Sequence, residues 1–84
     1  MKPNIKLYTL STCIHCQNTK KFFNDCKAEY TYVDVDLLKG AEREAVIKEI
    51  RELSPEIGFP TIVIDNKVIV GFNENEVKKI LGIQ

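Results

Sequence analysis

The strongest constraint on this chain is a repeated change of hydrophobic period. Ile5-Lys6-Leu7-Tyr8-Thr9 alternates and reads as a strand. Cys16, Thr19, Phe23 and Cys26 then recur at helical spacing, so a helix is expected from about Cys13, capped by Ser11 or Thr12. Tyr30 to Val35 is β-branched and aromatic and reads as a second strand. A second helix is expected from Ala41 to Leu53, with Val46, Ile50 and Leu53 on one face and Ser54-Pro55 ending it.

The remainder changes pattern once more. Thr61 to Ile64 and Lys67 to Val70 are apolar runs separated by Asp65-Asn66, the signature of a hairpin with a two-residue turn. Their composition predicts burial on both faces. Asn73 can cap a last helix, with Glu76 at the capping-box position, Val77, Ile80 and Leu81 inward and Gly82 at its end. The order is βαβαββα. Helical crossovers make the first strands parallel, and the hairpin is antiparallel. The expected architecture is α/β, a four-stranded mixed sheet flanked by three helices.

Residues 1–84 suffice for one domain with a modest core, and 44% apolar with 29% charged residues is a globular composition. Twelve Lys and Arg balance twelve Asp and Glu, which argues against a nucleic-acid partner. No run is long and apolar enough for a membrane span, and Met1 to Lys6 lacks the stretch of a signal peptide. A cytoplasmic monomer is expected. Three cysteines, an odd count, do not suggest a secreted disulfide framework.

Cys13-Ile14-His15-Cys16 lies where the first strand pattern gives way to the first helix. Positions i and i+3 of a helix are close enough for a disulfide. The unpaired N–H groups and positive dipole end of the first turn favour a thiolate, which is the attacking species. Cys13 is therefore the expected nucleophile, and Cys16, one turn deeper, the second thiol of a redox-active disulfide. The function this supports is thiol–disulfide oxidoreduction of protein disulfides. The alternative is an iron–sulfur or metal carrier using Cys13 across a dimer. Within one chain no metal site is expected, because zinc needs four ligands. His15 either assists the Cys13 thiolate or faces solvent. Cys26 is expected to be a small buried core thiol, too far along the helix to pair with Cys16.

Taken together, Cys13-Ile14-His15-Cys16, Gly58-Phe59-Pro60-Thr61 before the hairpin, and Gly71-Phe72 before the last helix resemble glutaredoxins. The likeness extends to the glutaredoxin-like, NrdH-redoxin-like branch of the thioredoxin superfamily and covers essentially the whole chain. It implies a thioredoxin-like fold and a cis peptide before Pro60. It also implies a substrate surface at Thr12, His15, Phe59, Pro60, Gly71 and Phe72, although Phe59 reads equally well as core. No bound cofactor is implied. Electrons would come from glutathione, or from NADPH through thioredoxin reductase, a flavoprotein disulfide reductase. The family's lysine for the glutathione carboxylate is Leu10 here, and Glu74 stands near the γ-glutamyl position. Weak glutathione use is therefore expected.

Overall fold

A computed structural model describes residues 3–82, so Met1 and Lys2, read above for a leader, lie outside the described residues. The elements are β1 (Ile5–Thr9), α1 (Ile14–Asp25), β2 (Thr31–Asp34), α2 (Gly40–Leu53), β3 (Thr61–Ile64), β4 (Lys67–Val70) and α3 (Glu74–Leu81). A single 3-10 turn, Val35–Leu37, follows β2, where the sequence reading continued the strand through Val35.

The strands form one sheet in the order β2-β1-β3-β4. β1 pairs parallel with β2 and antiparallel with β3, and β3 pairs antiparallel with β4. Ile64 lies opposite Lys67, so Asp65-Asn66 is the whole turn, with Asp65 at φ 53°. This is the thioredoxin-like arrangement of four mixed strands and three helices.

β1 is central, and its period of two feeds two cores. Ile5 and Leu7 join Phe23 of α1, Ile62 and Ile64 of β3, Ile69 of β4 and Val77 of α3. Tyr8 points to the other face and joins Val35 and Ile50, with Leu10, Val46, Ile47 and Phe59 packed around them. Each fully buried large side chain contributes roughly 1.5–3 kcal/mol of transfer free energy. α1 and α3 thus cover one face of the sheet and α2 the other.

Three expectations are corrected. β4 is an edge strand with a neighbour on one side only, so Lys67 and Val70 are exposed and burial on both faces holds less well there than in β3. Leu53 is exposed at the end of α2, and Ile47 with Val46 and Ile50 makes its inner face. Cys26 is exposed, not buried. α1 ends at Asp25, so Cys26 is its C-cap and leaves the stripe formed by Cys16, Thr19 and Phe23. α3 follows the reading closely: Asn73 accepts the Glu76 N–H, Val77 is buried, and Gly82 is the C-cap.

Candidate active site

The topology collects the sequence motifs at one end of the sheet. That end holds the C-termini of β1, β2 and β4 and the N-terminus of β3. Leu10 to Cys13 leave β1 there, Pro60 enters β3, and Gly71-Phe72 leave β4. The Phe59–Pro60 peptide is cis. The Gly71 N–H donates to the Pro60 carbonyl at 2.7 Å. Gly71 has φ +85°, a conformation that a residue with a Cβ rarely adopts. Phe72 turns back against Phe22, ring centroids 5.5 Å apart. Phe59 is half-buried and packs on the Tyr8, Val35 and Ile50 cluster, which favours the core side of its double reading.

Cys13 is itself the N-cap of α1, in place of the expected Ser11 or Thr12. Its Sγ accepts the Cys16 N–H at 3.4 Å, one of the donors a helix start leaves unpaired. The Cys13 N–H in turn donates to the Leu10 carbonyl at 3.1 Å. Thr12 is exposed, and so is His15.

The two thiols are pushed in opposite directions. A hydrogen bond from the Cys16 thiol holds Cys13 below the ordinary thiol range; desolvation opposes it, and the backbone N–H groups of Cys16 and His15 add to the lowering. His15 thus acts on Cys13 through its backbone. Cys16 is fully buried. Burial pushes its thiol up to about 11, with the bond and charge of Cys13 adding to the rise. The Leu10 N–H, 3.4 Å from the Cys16 Sγ, and the charge of Lys20 oppose it. One sulfur is therefore ready to ionise, and the other is kept as a shielded thiol.

Two acidic residues, which the sequence reading passed over, hold this end together. Asp36 accepts the Ser11 N–H at 2.8 Å and the Ser11 hydroxyl, which pulls its carboxyl below the usual range. Gln17 donates to the Ser11 carbonyl at 3.2 Å, so the turn carrying Cys13 is tied to α1 and to the segment after β2. Asp34 lies opposite Thr9 in the parallel ladder and accepts its hydroxyl. It also binds Lys20 Nζ at 2.9 Å. The signal was Asp34-Val35-Asp36 closing a β-branched strand, because a parallel crossover puts that end beside the cysteine turn.

A buried and a half-buried thiol lie one helical turn apart at the end of the sheet that also carries the cis Phe59–Pro60 peptide, in a thioredoxin-like fold. The family model described as Glutaredoxin matches residues 5–69, and the chain belongs to that family. A glutaredoxin-like 8.6 kDa protein in the rubredoxin operon of Clostridium pasteurianum is 40% identical over 78 residues, covering 92% of this chain and 96% of the relative. Methanosarcina acetivorans methanoredoxin is similar in structure, with 38% identity, TM-score 0.91, and 98% and 87% of the two chains covered. The glutaredoxin of Methanosarcina mazei shares 42% identity at TM-score 0.85, covering 95% and 79%. A thiol redox function accompanies this family and fold. No helix among the described residues is long and apolar enough to cross a membrane.

Proposed function

We propose that the protein reduces disulfides of other proteins through a two-cysteine mechanism. The observation that carries this reading is the N-cap geometry: Cys13 Sγ accepts a helix N–H while Cys16, one turn on, is fully buried. The Cys13 thiolate attacks one sulfur of a substrate disulfide. A Cys13–substrate bond forms, and the first substrate thiolate leaves with the electron pair and takes a proton from water. The Cys16 thiolate then attacks the Cys13 sulfur. The Cys13–Cys16 disulfide closes, and the second substrate thiolate leaves. Two electrons pass from the dithiol to the substrate. An extended substrate segment lies along Phe59-Pro60, with Thr12, His15, Gly71 and Phe72 around it.

The oxidised protein needs a two-electron donor. Leu10, where the family places a lysine, turns its side chain into the core around Tyr8. Of the neighbouring lysines, Lys20 is engaged on Asp34 and Lys6 on Glu49 at 3.5 Å, and Lys21 is exposed on α1. Glu74 adds a negative charge, partly offset by Lys78 at 3.7 Å. One missing charge-assisted hydrogen bond to a carboxylate is worth about 1.5–3 kcal/mol, or roughly one to two powers of ten in affinity. We therefore assign a thioredoxin-reductase-type flavoprotein with NADPH as the better donor and glutathione as the weaker one. A reducing cytoplasm suits a dithiol that must be regenerated, and the mechanism needs only a monomer. The alternative, a cluster or metal carrier using Cys13 across a dimer, is not favoured, because the family and fold support a thiol redox function.

The test is NADPH consumption with a disulfide-bonded protein as substrate. One arm contains thioredoxin reductase, the other glutathione and glutathione reductase. Faster turnover in the first arm is expected. No turnover in either would overturn the oxidoreductase reading, and faster turnover with glutathione would overturn the donor assignment.

A further inference from the structure

Cys16 presents the dithiol mechanism with a difficulty. It must become a thiolate to close the disulfide, yet it is fully buried and its ionisation is opposed by its surroundings. Part of that opposition comes from Cys13. Once Cys13 is bonded to substrate, its negative charge is gone. The Leu10 N–H, 3.4 Å from the Cys16 sulfur, and the charge of Lys20 then favour its ionisation.

The placement of Lys20 is specific. It lies four residues after Cys16 on α1, which puts both on one face of the helix. Its ammonium is 4.0 Å from the centroid of the Tyr32 ring and 2.9 Å from Asp34 Oδ1. The Lys20 and Asp34 side chains are only 21% and 15% exposed, so solvent and salt screen them less than a surface pair. Asp34 is fixed from the other side by Thr9. Thr9 immediately precedes Leu10, whose N–H reaches the Cys16 sulfur.

We propose that the Lys20–Asp34 pair sets the rate of the second half of the reaction. This rests on the dithiol reading above. Lys20 stabilises the Cys16 thiolate that attacks the mixed disulfide, and Asp34 moderates that charge. Both are positioning residues, acting through Cys16. The electron count is unchanged: the Cys16 proton passes to solvent, the Cys13–Cys16 bond forms, and the bond from Cys13 to the substrate sulfur breaks.

The two partners have opposite effects on Cys16. Removing Lys20 weakens thiolate formation at Cys16. Removing the charge of Asp34 leaves Lys20 unneutralised and strengthens it. A merely structural ion pair predicts the same loss from either change. The size follows from acid–base arithmetic. A thiol held one unit higher has about tenfold less thiolate at neutral pH. The higher basicity makes that thiolate roughly threefold more nucleophilic. The net effect is about threefold slower closure for each unit by which the thiol is raised.

Stopped-flow mixing of the reduced protein with dithionitrobenzoate separates the two steps, because each releases one coloured thiolate. A Cys26→Ser background removes the exposed third thiol. Lys20→Met is expected to leave the first phase unchanged, slow the second about threefold, and move its pH midpoint upward. Lys20→Arg is expected to restore the second phase. Asp34→Asn, close in shape to aspartate, is expected to speed it. Equal second phases in Lys20→Met and the parent, or a slower second phase in Asp34→Asn, would overturn the proposal while leaving the dithiol mechanism intact. A parent protein that releases only one coloured thiolate would sink both.

Discussion

At the start of α1, Cys13 caps the helix and its sulfur takes up a free backbone N–H. At the other end, Cys26 occupies the C-cap, and its own backbone N–H bonds back to the Phe22 carbonyl at 3.0 Å. The first sulfur faces the donor end of the helix dipole, which favours negative charge; the second sits at the acceptor end, which does not. The first is also joined by a buried partner one turn inward, whereas Cys26 is exposed. The same side chain at two ends of one helix thus meets opposite fields. Reactivity follows the field and the partner more than exposure alone.

The sharpest way to break this comparison is to exchange sulfur for oxygen at each position. Cys13→Ser should reduce protein-disulfide turnover to the uncatalysed background, measured by NADPH consumption in the coupled assay. Cys16→Ser should still attack substrate but fail to resolve. Mass spectrometry should then show a stable mixed disulfide at Cys13, and full turnover by this variant would refute the two-cysteine mechanism.

Stability should divide along the same helix. Phe23 is fully buried between the cysteine turn and Cys26, and Phe23→Ala should cost about 3–5 kcal/mol in urea unfolding. Near the site, a Cβ on Gly58 would lie 2.6 Å from Val70 Cγ1. Gly58→Ala should therefore cost about 1–3 kcal/mol through overpacking. A Cys26→Ser substitution at the exposed end should change stability by about 0.5 kcal/mol or less and leave turnover within a few-fold.

pH provides a finer version of the same test. Cys16 is raised to about 11 in the fold, whereas an unfolded cysteine titrates near about 8.5. Below the unfolded value both states keep the proton, and Cys16 adds no slope. Between the two values the unfolded chain loses the proton first, so the stability of the reduced protein should fall as pH rises. Replacing Cys16 by Ala should remove that part of the slope. A depressed Cys13 acts with the opposite sign at lower pH, its stabilisation being lost as pH falls through its folded value.

Much of the fold was legible because hydrophobic period and turn chemistry agree along the chain. Ile5 and Leu7 against Tyr8, the Asp65-Asn66 turn, and Asn73 with Gly82 each state their element locally. The cysteine pair was legible for the same reason, since its place at a strand-to-helix junction is a local fact. Cys26 was misread because spacing cannot tell the last helical residue from the cap beyond it. The cap at Cys13 was hidden by Ser11 and Thr12, which are better cap types than a thiol. The contacts of Asp34 and Asp36 with Lys20 and Ser11 depend on strand register, which no window of sequence contains.

The fold sets the two thiols of Cys13-Ile14-His15-Cys16 apart in acidity. Thiolate absorbance of the reduced Cys26→Ser protein, followed against pH with Cys13→Ser and Cys16→Ser for assignment, tests this most directly. Two separated steps are expected: the first, belonging to Cys13, below the ordinary thiol value of about 8.5, and the second, belonging to Cys16, near about 11. Two thiols titrating together at the ordinary value, or Cys16 ionising before Cys13, would contradict it.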